Sequence, residues 1–90
     1  MAWTIEYSGR TLKSLKKLDK PVARRIVDFM EQRVAVLDNP KALGKPLKGE
    51  LGTFWRYRVG DYRVLCDIDN GRLVILVTIV GHRRKVYGLR

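Results

Sequence analysis

The stretch from Phe54 to Tyr87, FWRYRVGDYRVLCDIDNGRLVILVTIVGHRRKVY, does most to constrain what this chain can fold into. Two glycine-bearing turns divide it into three strand-like runs. Gly60-Asp61 suits a two-residue hairpin turn with glycine first, and Asn70-Gly71 suits the turn in which both central residues take positive φ. Two such turns fix register, and register decides which side chains share a face. With Val59 opposite Tyr62, alternation places Trp55, Tyr57, Val59, Tyr62, Val64 and Cys66 on one face. Arg56, Arg58 and Arg63 take the other. With Asp69 opposite Arg72, Cys66 meets Ile75, Val64 meets Val77 and Tyr62 meets Ile79. The apolar face then continues through Leu73, Ile75, Val77 and Ile79, and Thr78 falls beside Arg63. Leu65, Val74 and Leu76 lie further along the arginine face. Arg58 and Arg63 become direct cross-strand neighbours, a like-charge pair that costs stability. Either something anionic binds there, or the two long side chains splay into solvent.

Upstream, Trp3 to Tyr7 alternates as a short strand, and Ser8 is a suitable N-cap for a helix over Gly9 to Leu18. Asp19-Lys20-Pro21 breaks the chain and restarts it, with Pro21 in the first turn of a second helix running to about Leu37. Val22, Ile26, Phe29, Met30, Val34 and Leu37 form its apolar stripe. The short break implies an antiparallel helical hairpin. Asp38-Asn39-Pro40 ends it, and residues 39–53, rich in proline, glycine and lysine, read as a loop pinned by Leu43, Leu47 and Leu51. Gly49-Glu50-Leu51-Gly52 reads as a turn within that loop. The order strand, helix, helix, strand, strand, strand predicts a two-layer α+β domain, with the helical hairpin packed on a mostly antiparallel sheet of about four strands. The N-terminal strand completes the sheet, beside the apolar run 73–80. No linker or repeat divides the chain, so residues 1–90 are expected to form one domain.

The charge narrows the class of partner. The chain carries 19 Lys+Arg against 9 Asp+Glu, a net of +10. Residues 1–38 hold 8 basic and 5 acidic residues, residues 39–90 hold 11 and 4, so most of the excess sits with the hairpins and their flanks. A polyanion is the first partner to consider, nucleic acid ahead of a membrane surface; an acidic protein partner also fits. The N-terminus lacks the pattern of a secretory signal and no run of about 18 apolar residues suggests a membrane span. A lone cysteine, Cys66, on an apolar strand face reads as a small buried hydrophobe. The expected location is the cytoplasm.

One cysteine and one histidine do not make a zinc site. Asp67-Ile68-Asp69-Asn70-Gly71 lacks the distal glutamate of a calcium loop and lies on a hairpin turn. Neither a metal nor a cofactor is expected. What remains is a basic constellation: Arg56, Arg58 and Arg63, then His82, Arg83, Arg84, Lys85 and Tyr87. Arginine forks are always charged and suit a developing phosphorane oxyanion. His82, Tyr87 and Lys85 are groups able to move protons during attack by a ribose 2′-hydroxyl. His82 continues the parity of the arginine face if the last strand runs past Gly81. On these residues alone the chain is a nucleic-acid-binding module with the makings of a nuclease.

The segments W-R-Y-R-V-G-D-Y-R-V at 55–64, I-D-N-G at 68–71 and V-G-H-R-R-K-V-Y at 80–87 resemble the RelE/ParE superfamily of bacterial toxins. So do L-x-x-L-x-K-L at 12–18, L-D-N-P at 37–40 and P-L-K-G at 46–49. The RelE branch implies a ribosome-dependent, metal-independent mRNA endonuclease acting in the ribosomal A site through the RNA's own 2′-hydroxyl. The ParE branch implies a poison of DNA gyrase without nuclease activity, and a third possibility is a remnant that only binds its antitoxin. Either branch implies a cognate antitoxin, with operator DNA bound only through the toxin–antitoxin complex. By resemblance Arg56 and Arg58 are the basic strand positions, where the RelE branch often has lysines; Arg63 closes the hairpin, Arg83 follows the last strand and Tyr87 is the C-terminal tyrosine. The expectation is that Arg63 and Arg83 act on the phosphate and Arg56 and Arg58 on the RNA backbone, with Arg84 and Lys85 assisting. His82 or Tyr87 then moves protons, since arginine is a poor base. The leucine and valine patch around Leu65 and Leu76 is expected to lie under an amphipathic antitoxin segment.

Overall fold

The computed structural model describes residues 3–49 and 52–86. Strand β1 (Thr4–Tyr7) leads into helix α1 (Gly9–Lys17) and helix α2 (Lys20–Phe29), which continues as a π-helical turn (Met30–Val34). A 3₁₀ turn (Pro40–Leu43) follows, then β2 (Lys45–Gly49), β3 (Gly52–Val59), β4 (Tyr62–Asp69) and β5 (Val74–His82). The sheet order is β1-β5-β4-β3-β2, with β1 parallel to β5 and the other neighbours antiparallel. The helical hairpin covers one face. This is the expected two-layer α+β architecture, with the N-terminal strand beside the last one.

The sheet has five strands rather than about four. The fifth, β2, lies inside the region expected to be a loop, hidden by its turn-like composition. Gly49 pairs with Gly52 in an antiparallel β2–β3 ladder, and Pro46 is tolerated because β2 is an edge strand. Of the leucines expected to pin this segment, Leu47 packs inward, Leu43 is exposed and Leu51 lies outside the described residues.

The first hairpin follows the expected register: Val59 faces Tyr62 and Arg58 faces Arg63, with Gly60 at φ 59°. The second does not. Asp69 pairs with Val74, because its Oδ1 accepts the backbone N–H groups of Gly71 (3.0 Å) and Arg72 (3.2 Å). That side-chain acceptor competes with the two-residue turn and opens a four-residue loop, closed by Leu73 at φ 55°. Cys66 therefore meets Val77, not Ile75. A shift of two leaves Ile75 and Val77 facing the helices. A bulge between Leu65 and Cys66 then adds one residue on β5, so Leu65 meets Ile79, Val64 meets Val80, Arg63 meets Gly81 and Tyr62 meets His82. Every β5 side chain beyond Thr78 changes face. Val80 joins the core and Ile79 joins the arginine face, the reverse of the sequence expectation, and Thr78 is not beside Arg63.

The start of α1 stitches this bulge. Ser8 caps the helix by accepting Thr11 N–H at 3.1 Å, and its own N–H donates to the Val77 carbonyl at 3.0 Å. Ser8 Oγ donates to the Thr78 carbonyl (3.2 Å) and the fully buried Thr11 Oγ1 donates to the Val77 carbonyl (2.9 Å). Thr78 Oγ1 donates to the Leu65 carbonyl at 3.0 Å. Thr11→Val keeps the shape and removes the buried bond to the Val77 carbonyl together with the 2.9 Å contact between Thr11 Oγ1 and Ser8 Oγ. It should lower the unfolding free energy by about 1–1.5 kcal/mol, read as a reduced urea midpoint at unchanged slope.

The core joins Tyr57, Val59, Val64, Cys66, Ile75, Val77 and Val80 from the sheet to Ile26, Met30, Val34 and Ala35 from the helical layer. The second helix was expected to run regularly to Leu37. Instead Ala35 N–H donates to the Met30 carbonyl (2.9 Å), one residue wider than an α-turn, which rotates Ala35 inward; its carbonyl accepts Trp3 N–H at 2.8 Å. Cys66 is buried as expected. Burial first, and Asp67 second, push its thiol far above its ordinary value of 9.0. Burial also raises Tyr57 well above its ordinary 10.0, and raises Tyr7, which donates to Glu31 Oε2 at 3.0 Å. In each case the folded chain prefers the protonated group. Stability is thus full below pH about 8.5 and falls as pH rises, since only the unfolded chain ionises; above that the Cys66 contribution falls by about 1.4 kcal/mol per pH unit. The urea midpoint should hold to pH about 8.5 and drop above it, and Cys66→Ala should delay the onset by about one pH unit.

Candidate nucleic-acid interface

On the sheet face away from the helices, Lys45, Arg56, Arg58 and Arg63 follow one another across β2, β3 and β4: Lys45 faces Arg56, and Arg58 faces Arg63. The like-charge pair is relieved by unequal placement. Arg58 is exposed, whereas Arg63 is buried and its Nη1 donates to the carbonyls of Gly60 (3.0 Å) and Tyr62 (2.9 Å). The room for it comes from Gly81, its side-chain-free partner on β5. A shallow cleft of about 140 Å³ lies between Leu43, Lys45, Arg56 and Arg58. Lys45 is a member that sequence reading missed; the paired glycines around residues 50 and 51 were the signal for the strand that carries it.

Beyond Gly81 the chain turns back. Arg83 N–H donates to the Asp61 carbonyl at 2.8 Å, and Arg83 Nε stands 4.0 Å from Asp61 Oδ1. Arg63 and Arg83 thus meet the same β3–β4 turn. Lys85 N–H closes the reversal on the His82 carbonyl (2.8 Å), and Val86 is buried with Leu65 and Ile79, against which Leu47 packs. This second small core corrects the expectation that Leu65 is open to an antitoxin: the chain's own turn and β2 cover it. Leu76 is half-buried.

His82 is not on the arginine face. The bulge sets it on the helix side, edge-on to Tyr62 (ring centroids 5.7 Å apart, 80°), and its Nδ1 accepts Arg84 N–H at 3.2 Å. That bond leaves the proton of the neutral ring on Nε2. Arg84 and Lys85 are exposed, and Tyr87 lies outside the described residues. Among the described residues, no three His, Cys, Asp or Glu side chains are grouped to hold a metal ion, and no helix is long and apolar enough to cross a membrane.

A helical hairpin on a five-stranded sheet is the fold this chain shares with solved toxins of toxin–antitoxin modules. The chain belongs to the family described as ParE toxin of type II toxin-antitoxin system, parDE, whose pattern matches residues 5–87. It is a RelE-like toxin of such a system. It is 29% identical to Toxin RelG of Mycobacterium tuberculosis over 87 residues, covering 97% of this chain and 98% of that protein. It is 33% identical to Toxin RelE of the same organism over 83 residues, covering 92% and 84%. Among solved structures, the toxin–antitoxin complex RelBE2 of M. tuberculosis superposes with a TM-score of 0.82 at 28% identity, covering 92% of this chain and 93% of that one. The archaeal RelE–RelB complex of Pyrococcus horikoshii shares the fold, with a TM-score of 0.68 at 24% identity over 92% of this chain and 97% of that one.

Proposed function

We propose that this toxin is a ribosome-dependent, metal-independent mRNA endonuclease that blocks translation by cutting mRNA in the ribosomal A site. The observation that carries this reading is the convergence of Arg63 and Arg83 on one turn, beside a strand face bearing Lys45, Arg56 and Arg58. RNA cleavage by its own 2′-hydroxyl forms the 2′-O–P bond and breaks the P–O5′ bond. One proton leaves the nucleophile, one reaches the leaving oxygen, and charge accumulates on the phosphorane in between. Arg56, Arg58 and Lys45 hold the backbone, Arg63 presents a fork held in place by the turn, and Arg83 presents an exposed one to that charge. The turn carbonyls orient Arg63 in advance. Proton transfer falls to Tyr87 rather than His82, whose ring faces the helix side with Nδ1 engaged; His82 positions the turn that carries Arg83, and Arg84 and Lys85 add charge for the RNA. A cognate antitoxin neutralises the toxin, as the RelBE2 and archaeal complexes suggest, and operator DNA is bound only through that complex.

Primer extension on an mRNA in a purified translation system tests the reading, with ribosomes present and then omitted. Cuts at codon positions that need ribosomes are expected. The family description as a ParE toxin favours a second reading, inhibition of DNA gyrase without nuclease activity. Absence of cuts together with inhibition in a gyrase supercoiling assay would establish it instead.

A further inference from the structure

A groove of about 370 Å³ on the other side of β3 takes no part in the chemistry above. It runs between α2 with its π-helical turn and the end of β3, lined among others by Arg25, Asp28, Phe29, Gln32, Arg33 and Arg58. Two of its three arginines are seated by packing. Arg25 lies over the β3–β4 turn, so close that a Cβ on Gly60 would stand 3.1 Å from its Nη1. Arg33 lies over the Phe29 ring at 5.7 Å, and Tyr57 braces that ring edge-on at 6.3 Å. The single carboxylate of the lining, Asp28, has Arg24 Nε at 3.8 Å. Eight residues of helical rise separate Arg25 from Arg33, roughly 12 Å along the axis. Arg58 borders this groove and also the cleft on the arginine face. It lies beyond the pairing with β2, which ends where Lys45 meets Arg56.

We propose that the groove is a second RNA-backbone site, taking phosphates of the single strand that lies on the arginine face, with Arg58 shared between the two. This rests on the RNA reading of that face. Positive charge predominates around the end of β3, from Lys45 and Arg56 through Arg58 to Arg33 and Arg25, with Asp28 offset by Arg24. An occupant of the whole run must be evenly anionic along its length, which a phosphodiester chain is and a mixed acidic peptide is not. The site reads no sequence; it lengthens the footprint and sets the direction in which the strand leaves the cleavage face.

The test is fluorescence anisotropy of the free toxin with 2′-O-methyl oligonucleotides, which lack the nucleophile and stay intact. A long and a short oligonucleotide are titrated between 50 and 200 mM salt. Arg25→Gln with Arg33→Gln removes two phosphate contacts, so the log–log salt slope for the long oligonucleotide should become shallower by about 1.4. The ratio of affinities at the two salts then falls by about sevenfold. A strand too short to leave the arginine face should be unaffected. Lys13→Gln with Lys17→Gln removes equal charge from exposed positions of α1 and should leave the slope unchanged. An equal loss in that control, or no loss in the groove variant while Arg56→Gln weakens binding, overturns the second site and leaves the first standing. Unchanged RNA binding with lost antitoxin binding assigns the groove to an acidic protein segment and also overturns the proposal. A wild-type toxin that binds neither oligonucleotide overturns both sites.

Discussion

Arg83→Ala should reduce ribosome-dependent mRNA cleavage by about 10²–10³-fold, the usual loss when one donor to a developing oxyanion is removed. Stability should scarcely change. The Arg83 guanidinium is half exposed and its approach to Asp61 is a surface contact at 4.0 Å, while the bond from its backbone N–H to the Asp61 carbonyl survives the substitution. Arg63→Ala should lower cleavage as well, but with a second signature. Its Nη1 satisfies two turn carbonyls, Gly60 and Tyr62, and their loss should cost about 1–3 kcal/mol. The pair of variants thus separates a free fork from one that also builds the turn, in primer extension run beside urea melts. His82→Ala should reduce cleavage far less than Arg83→Ala, because it loosens the turn without removing a group that faces RNA. Normal cutting by both arginine variants would show that neither touches the phosphate. A His82 variant as dead as Arg83→Ala would return proton transfer to the histidine.

What could be read from the sequence, and what could not, follows from how far each signal reaches. Ser8 as a cap, Pro21 in the first turn of α2 and Gly60 in the first hairpin are local, and each has one physically favoured outcome. The arginine face followed directly from that hairpin. The second hairpin departs from the Asn70-Gly71 pattern because the Asp69 carboxylate takes the turn's N–H groups for itself. The bulge at Thr78 was beyond reach, since its support comes from Ser8 and Thr11, some seventy residues away in the chain. That one inserted residue moves His82 off the arginine face, and so changes the candidate for proton transfer. Lys45 was missed for the opposite reason: the strand carrying it is short and proline-bearing, features that an edge strand allows and a loop shares.

Leu65→Asp should unfold the protein or come close to it. Leu65 is fully buried on the arginine face, between Arg56 on β3 and Ile79 on β5, beneath Val86 and with Leu47 packed alongside. Removing a buried leucine costs about 2–5 kcal/mol, and a carboxylate in its place adds a desolvation penalty of several more. Arg56, its cross-strand neighbour, offsets only part of that. The total stability of a small domain is about 5–15 kcal/mol, so little would remain. Two comparisons calibrate the result. Leu76→Asp, half-buried and opposite Asp67, should cost markedly less; Leu43→Asp, at a side chain 43% exposed, should stay within about 0.5 kcal/mol of wild type. Urea midpoints of the three variants therefore rank Leu65 far below Leu76, and Leu76 below Leu43. A Leu65→Asp protein that melts like wild type but no longer binds its antitoxin would show the opposite: that this face is an open docking patch which the partner, and not Val86, keeps dry.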